Sequence, residues 1–179
     1  YAGPITVQDF AHIKATIFRD GVLQGTPTEK KVEYHRAINK PIHYNSKLYE
    51  GYMAGGTNAL LDGYRGGLTY LDGRWQGYLD DLDCVIDMEE ETDIHKVSIR
   101  FMQLIGPGVF QPGQVELLTS EDGENFISRG IVPTTVPADD PDLLFQEYTF
   151  DGNWKARYVR LKAPRANPGF IFADEIVVW

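Results

Sequence analysis

From residue 82 onward, apolar and polar positions alternate in short runs. Leu82–Asp87, Val97–Leu104, Gln114–Thr119, Phe145–Phe150 and Arg157–Ala163 carry the period of two that sends successive side chains to opposite faces of a strand. Phe170–Phe172 and Glu175–Trp179 predict closing strands. Glu121–Glu124 and Asp151-Gly152 read as turns between strands, and Glu89–Glu91 as a further turn. No stretch of ten or more residues shows helical periodicity. Many short strands separated by Gly, Asp and Pro predict a sandwich, jelly roll or barrel. No period of 20–50 residues repeats, which argues against a propeller or solenoid.

The first third of the chain is different. Ile5–Val7, His12–Phe18 and Val22–Gly25 predict three short strands, with Asp20-Gly21 as a turn. Such a set makes a poor domain and is expected to be marginal alone. Tyr34–Ser46 is less regular, and Pro41 rules out a helix there. Residues 51–67 hold six glycines interleaved with Tyr, Leu and Met, which predicts tight ordered loops instead of a flexible linker.

A chain of 179 residues suits one domain of about 150 residues with a remainder. The net charge of −9 argues against a nucleic-acid partner, because phosphate binding needs a basic face, and makes membrane binding unfavourable. The one cysteine, Cys84, lies in an apolar run and reads as a buried hydrophobe. The four histidines show no metal-binding spacing. The chain starts at Tyr1 without Met and reads as an excised piece, so any targeting signal is expected upstream.

The order of motifs carries a resemblance. Leu60–Gly67, Asp72–Gly77 and Asp83–Asp87 resemble the first half of a coagulation factor 5/8 type C (discoidin-like) domain. Ile94–Ile99, Val115–Phe126, Ala156–Leu161 and Ala173–Val178 continue it in the same order. The resemblance implies a discoidin-like (galactose-binding-like) jelly roll of about eight strands over residues 34–179. Tyr1–Val7, Ile13–Ala15 and Asp20-Gly21 are similar to the second half of a small β-sandwich in bacterial chitobiases and β-hexosaminidases. Residues 1–33 would then be the last strands of a truncated sandwich. Together the two parts resemble the C-terminal tail of a Bacteroides-type chitobiase. That implies a non-catalytic carbohydrate-binding module of a glycoside hydrolase, periplasmic, cell-surface or secreted, and a monomer. Its expected partners are the parent catalytic domain and glycans bearing N-acetylhexosamine or galactose-type sugars. A structural module that positions the catalytic domain without binding sugar is the alternative.

The resemblance also implies sites. A structural calcium would be held by the Asp62 and Glu175 side chains and by backbone oxygens around Ala59, Arg65 and Ala173. Against this, Asp62 could cap a turn, and the Arg65 guanidinium could pair with Glu175 and take the place of an ion. Sugars stack their apolar ring faces on aromatic side chains and hydrogen-bond polar groups on loops. The loop aromatics are Tyr52, Tyr64, Tyr70, Trp75, Tyr78 and Phe110, with Arg65, Arg74 and Gln76 as polar partners. Of these, Phe110, Trp75, Tyr64 and Arg65, with Asn167 on the 166–170 rim, are the sugar-binding candidates. Trp75 stands where relatives carry a core-facing Trp, and Phe110 could instead plug its loop. The Asp174-Glu175 pair superficially resembles a hexosaminidase acid pair. Strand neighbours point to opposite faces, however, so catalysis is not expected.

Overall fold

The computed structural model describes residues 3–7, 11–32 and 34–179. Tyr1 and Ala2, the start of the sandwich-like stretch, and Glu33, at the expected domain boundary, lie outside the described residues. Among the described residues there are nine strands: β1 (Ala11–Arg19), β2 (Val22–Val32), β3 (Ile42–Tyr44), β4 (Gln76–Tyr78), β5 (Leu82–Gln103), β6 (Gln114–Ser120), β7 (Ile127–Pro133), β8 (Leu144–Ala163) and β9 (Ile171–Val178). Two short 3-10 turns, Glu50–Tyr52 and Ala59–Leu61, are the only helical segments among them.

β1 and β2 pair only with each other, around the expected Asp20-Gly21 turn. Ile5–Val7 forms no strand. β3–β9 form one seven-stranded antiparallel array, ordered β4-β9-β5-β8-β6-β7, with β3 also on β5. Two long strands turn this array into a sandwich. The first half of β5 (Leu82–Asp87) pairs with the last part of β8 (Tyr158–Ala163), and its second half (Thr92–Gln103) with the first part (Leu144–Ala156). Between them the register slips, three extra residues lying on β5, and Glu89 takes a left-handed φ of 69°. The Glu89–Glu91 run is thus a bulge that bends a continuous strand, not a turn that ends one.

The Asp151-Gly152 expectation is corrected in the same way. β8 runs straight through it, with one extra residue facing Ile94–Lys96. A Cβ on Gly152 would sit 2.2 Å from the Trp154 ring, so glycine here makes room for an indole instead of reversing the chain. The β6–β7 turn at Glu121–Asn125 forms as expected. There the Asp122 carboxylate accepts the Glu124 and Asn125 N–H groups and the Asn125 side chain, which hold it well below the usual carboxylate range.

Because β5 and β8 bend in the middle, both ends of each lie at the same end of the sandwich. The loops 45–75, 104–113 and 164–170 gather there, cross-linked by Gly113 N–H to Pro164 O and Arg165 N–H to the Asp81 carboxylate. At the opposite end lie the two bends, residues 34–41 and Trp179: Arg36 N–H donates to Val178 O, Asp87 N–H to Pro41 O, and Trp179 exchanges bonds with Lys96. The inter-sheet core includes Leu60, Ile86, Ile99, Phe101, Leu117, Tyr148, Leu161 and Ile176. Cys84 is buried in it, its thiol pushed up to about 12 by desolvation. A second cluster, Trp75, Met102, Val109 and Phe172, lies beneath the loops.

Since β1 and β2 share no ladder with the sandwich, deleting residues 1–33 is expected to change its stability by less than about 1 kcal/mol, or about 2–4 °C in melting temperature. Differential scanning calorimetry of both forms checks this.

Candidate functional site

Two constellations stand out, one polar and buried on β9, the other aromatic and open at the loop end.

The first is built by a bulge. Opposite β5, Ile176 pairs with Ile99 and Ala173 with Phe101, so β9 carries one extra residue between them. The neighbours Asp174 and Glu175 are thereby aimed at different partners, and both are fully buried. Asp174 accepts hydrogen bonds from the Arg100 guanidinium and from Gly66 N–H, while Arg100 also holds Gly66 O. Arg65 lies 3.5 Å from Asp174 and binds Glu147 at 2.9 Å, and Glu147 also accepts the Ser98 hydroxyl. This network ties the 62–67 loop to β5, β8 and β9.

Glu175 turns the other way. Its Oε1 accepts His35 Nε2–H at 2.8 Å and Gly63 N–H at 3.0 Å. His35 Nδ1 accepts Ala37 N–H, which fixes the proton on Nε2. Glu175 Oε2 is buried with no hydrogen-bond partner among the described residues. Desolvation pushes the Glu175 carboxyl up to about 10, with the Asp62 and Asp174 charges adding to the shift. Burial lowers His35 to about 4. The pair is therefore neutral at pH 7, a protonated acid beside an uncharged imidazole. Asp62, which caps its own turn through Tyr64 N–H, is also raised by burial.

Of the expected calcium ligands, the structure brings Asp62 and Glu175 together, each feeling the other electrostatically. The Arg65 guanidinium reaches this acidic region, pairing with Glu147 and lying 3.5 Å from Asp174, and its charge also favours the ionised form of Glu175. Ala59 opens the 3-10 turn that leads into Asp62, and Ala173 sits between Gln76 and Phe101 in two ladders. Among the described residues no three His, Cys, Asp or Glu side chains gather as a metal-binding group. Two carboxylates and one unpartnered oxygen supply part of a calcium donor set, and backbone oxygens would have to complete it.

The second constellation lies at the loop end. Tyr52 is its centre: stacked on Tyr49 at 5.8 Å, and edge-on to Tyr70 at 5.8 Å, Phe170 at 5.3 Å and Phe172 at 4.9 Å. Gly51 permits this, since a Cβ there would lie 2.6 Å from the Tyr49 ring. Between the 50–54 and 70–75 segments is a pocket of about 370 Å³, lined by Glu50, Tyr52, Met53, Tyr70 and Leu71, with the Trp75 edge at its base.

The sequence candidates divide here. Trp75 is corrected: it is 1% exposed, stacked on Phe145 at 5.7 Å with Arg100 over its ring, so it has no face free for a sugar. Gly66 lets it in, since a Cβ there would sit 2.2 Å from the indole. Gln76 and Tyr78 are likewise buried and bonded to each other, with Gln76 also accepting the Tyr44 hydroxyl. Tyr64 is half-buried beneath the Arg74 guanidinium, 4.2 Å from its ring centre. Arg65 belongs to the ion network. Phe110 is half-buried against Gly169, and its N–H donates to Phe170 O. Asn167, half-buried, is in the adjoining 164–170 loop. Phe170 belongs to the expected 166–170 rim, whereas Tyr49, Glu50 and Leu71 were missed. The one sequence signal for the first two is the Tyr49-Glu-Gly-Tyr52 run, in which a glycine separates two aromatics that must stack.

No protein-family model and no curated protein matches this sequence. Solved structures do. A chitosan-binding module from a chitosanase/glucanase of Paenibacillus sp. IK-5 is 14% identical, with 82% of this chain and 99% of that one covered at a TM-score of 0.57. A Streptococcus pneumoniae fucose binding module is 16% identical over 91% of this chain and 99% of its own, TM-score 0.57. The Clostridium perfringens module CpGH89CBM32-5, solved in complex with GalNAc-β-1,3-galactose, is 19% identical over 79% and 95%, TM-score 0.54. The fold is the discoidin-like jelly roll of carbohydrate-binding modules. At these identities the likeness is one of architecture. The loops that shape the pocket connect strands, whereas the Glu175 centre belongs to the last strand.

The buried pair has a pH signature. Glu175, raised in the folded state, binds a proton that the unfolded chain releases above about 4.5, so its contribution to stability falls as pH rises toward about 10. His35, lowered to about 4, contributes the opposite slope up to its ordinary value of 6.5. The two slopes offset each other up to pH 6.5. Above it, stability is expected to fall by about 1 kcal/mol per pH unit. Glu175→Gln should flatten that alkaline arm, as read from urea unfolding at pH 6–9.

Proposed function

We propose that this chain is a non-catalytic carbohydrate-binding module that holds glycans in the loop-end pocket. The observation that carries the reading is the Tyr52–Tyr70–Leu71 wall, which opens to solvent on a fold shared with sugar-binding modules. Phenol rings and a leucine offer a surface for the C–H face of a pyranose. The Tyr52 and Tyr70 hydroxyls make no hydrogen bond among the described residues and are available to sugar hydroxyls. Phe110 and Asn167 lie on adjoining loops and extend the rim. Glycans bearing N-acetylhexosamine or galactose-type sugars, and a chitobiase-type hydrolase as the parent chain in a secreted or surface setting, are supported by the sequence resemblance. Asp174 and Glu175 are both buried and hydrogen-bonded to different partners, which supports a module without its own hydrolytic pair.

One shallow pocket buries little area, so affinities of about 0.1–1 mM are expected. Titration calorimetry with hexosamine and galactose oligosaccharides should give such values. Tyr52→Ala and Tyr70→Ala should each weaken binding about tenfold, with the Phe101–Tyr148 core packing intact by near-UV circular dichroism. A fully folded protein that binds no glycan would instead favour the structural module. That second reading draws support from the burial of Trp75, Gln76 and Tyr78.

A calcium ion between Asp62 and Glu175 is part of the same proposal. A fully buried carboxyl with an unpartnered oxygen, beside a half-buried one, needs a proton or a cation to offset the charge. The ion would supply structural charge balance, with Asp62 and Glu175 as its acidic ligands. Because it must displace the Glu175 proton, millimolar calcium should raise the melting temperature by several degrees at pH 8.5 and less at pH 5.5. Asp62→Asn should abolish the shift. No shift at either pH would leave the balance to the proton and to Arg65.

A further inference from the structure

The loop-end pocket has an asymmetry that the aromatic wall does not explain. Glu50 is the one charged residue lining it. It opens the 3-10 turn that ends on Tyr52, and that turn is pinned by Tyr49 stacking on Tyr52 and meeting Phe170 edge-on at 5.1 Å. Among the described residues Glu50 makes no ion pair or side-chain hydrogen bond. Arg74, the cation of the facing 70–75 segment, lies over the Tyr64 ring instead. The opposite lip is apolar: Leu71 is 71% exposed, and its N–H donates to Thr69 Oγ1.

An unpaired carboxylate beside an aromatic and aliphatic wall suits a ligand with an apolar face and a cation next to it. Neutral sugars have the first and lack the second. A hexosamine with a free amino group has both, since its ammonium projects from the ring edge while its C–H face stacks. The ammonium would form a charge-assisted hydrogen bond with Glu50, and the chain's net charge of −9 would favour its approach over that of an anionic glycan. We infer that the pocket selects amino sugars with a free, protonated amine over their N-acetylated and neutral counterparts. This rests on the glycan-binding reading above.

The test is titration calorimetry with matched oligomers of glucosamine, N-acetylglucosamine and glucose at low and high salt, using the wild type and Glu50→Gln. Glu50 is exposed, so the variant should fold. The free-amine oligomer is expected to bind about three- to tenfold tighter, because the ion pair is solvent-facing. That advantage should shrink with salt and vanish in Glu50→Gln, which is expected to bind the three oligomers within about twofold of one another. Equal affinities for all three oligomers would overturn the selectivity while leaving glycan binding standing. A preference that survives in Glu50→Gln would also overturn it. Failure of every oligomer to bind would remove both readings.

Discussion

The bending of two strands is the constraint from which the rest of the molecule follows. β5 and β8 are too long for one sheet of a small sandwich, and the bulges at Met88–Glu91 and Asp151–Trp154 let each serve two layers without a break in the chain. Burial of Ile86 and Ile99, thirteen positions apart on the same strand, against Val159, Leu161 and Tyr148 closes the layers on each other. An interrupted β5 would need an extra loop at the bend and would leave the first layer joined to the second only through side chains.

The 45–75 segment uses the outer face that the sandwich leaves open. Met102 and Phe172 point away from the main core and would be exposed on a bare sheet. Trp75, Tyr70 and Tyr52 cover them, and Arg100, half-buried, fastens the cover to the fully buried Asp174 carboxylate. One partner left alone in such a pair would be costly, so the loop and the sheet specify each other. The rigidity of the pocket rests on this fastening: its floor is apolar packing and its hinge is a salt bridge, with glycines only where rings must approach the backbone.

Much of this was legible from residues. The alternation at Leu82–Asp87, Gln114–Thr119 and Arg157–Ala163 placed the strands, since a strand buried on one face writes its period into the sequence. Turns were less certain, because the same Asp-Gly dipeptide reverses the chain at 122–123 and only bulges it at 151–152. What separates them is Trp154, which needs the space over Gly152, and the partner strand that continues on the other side. β3 was hidden because three residues carry no period, and Pro41 drew attention to what could not form. Asp62 and Glu175 were found together through the resemblance, but His35, 140 positions from Glu175, leaves no local trace of its role. Gln76 and Tyr78 stand among the loop candidates of the sequence, and Trp75 carries both a core-facing and a sugar-binding reading. Their burial depends on a loop folding back over a sheet, which no window of neighbouring residues encodes.

The doubled-back strands have one more consequence. Residues 34–41 and Trp179 lie at the bends, and the pocket lies at the far end of the same strands. A polypeptide joined at either side is therefore attached at the foot of the sandwich, while the pocket points outward from that attachment. In such an arrangement the length of the sandwich is added to the reach of the connecting segment. If the pocket takes a glycan as proposed, a weak contact there can be made repeatedly within that reach.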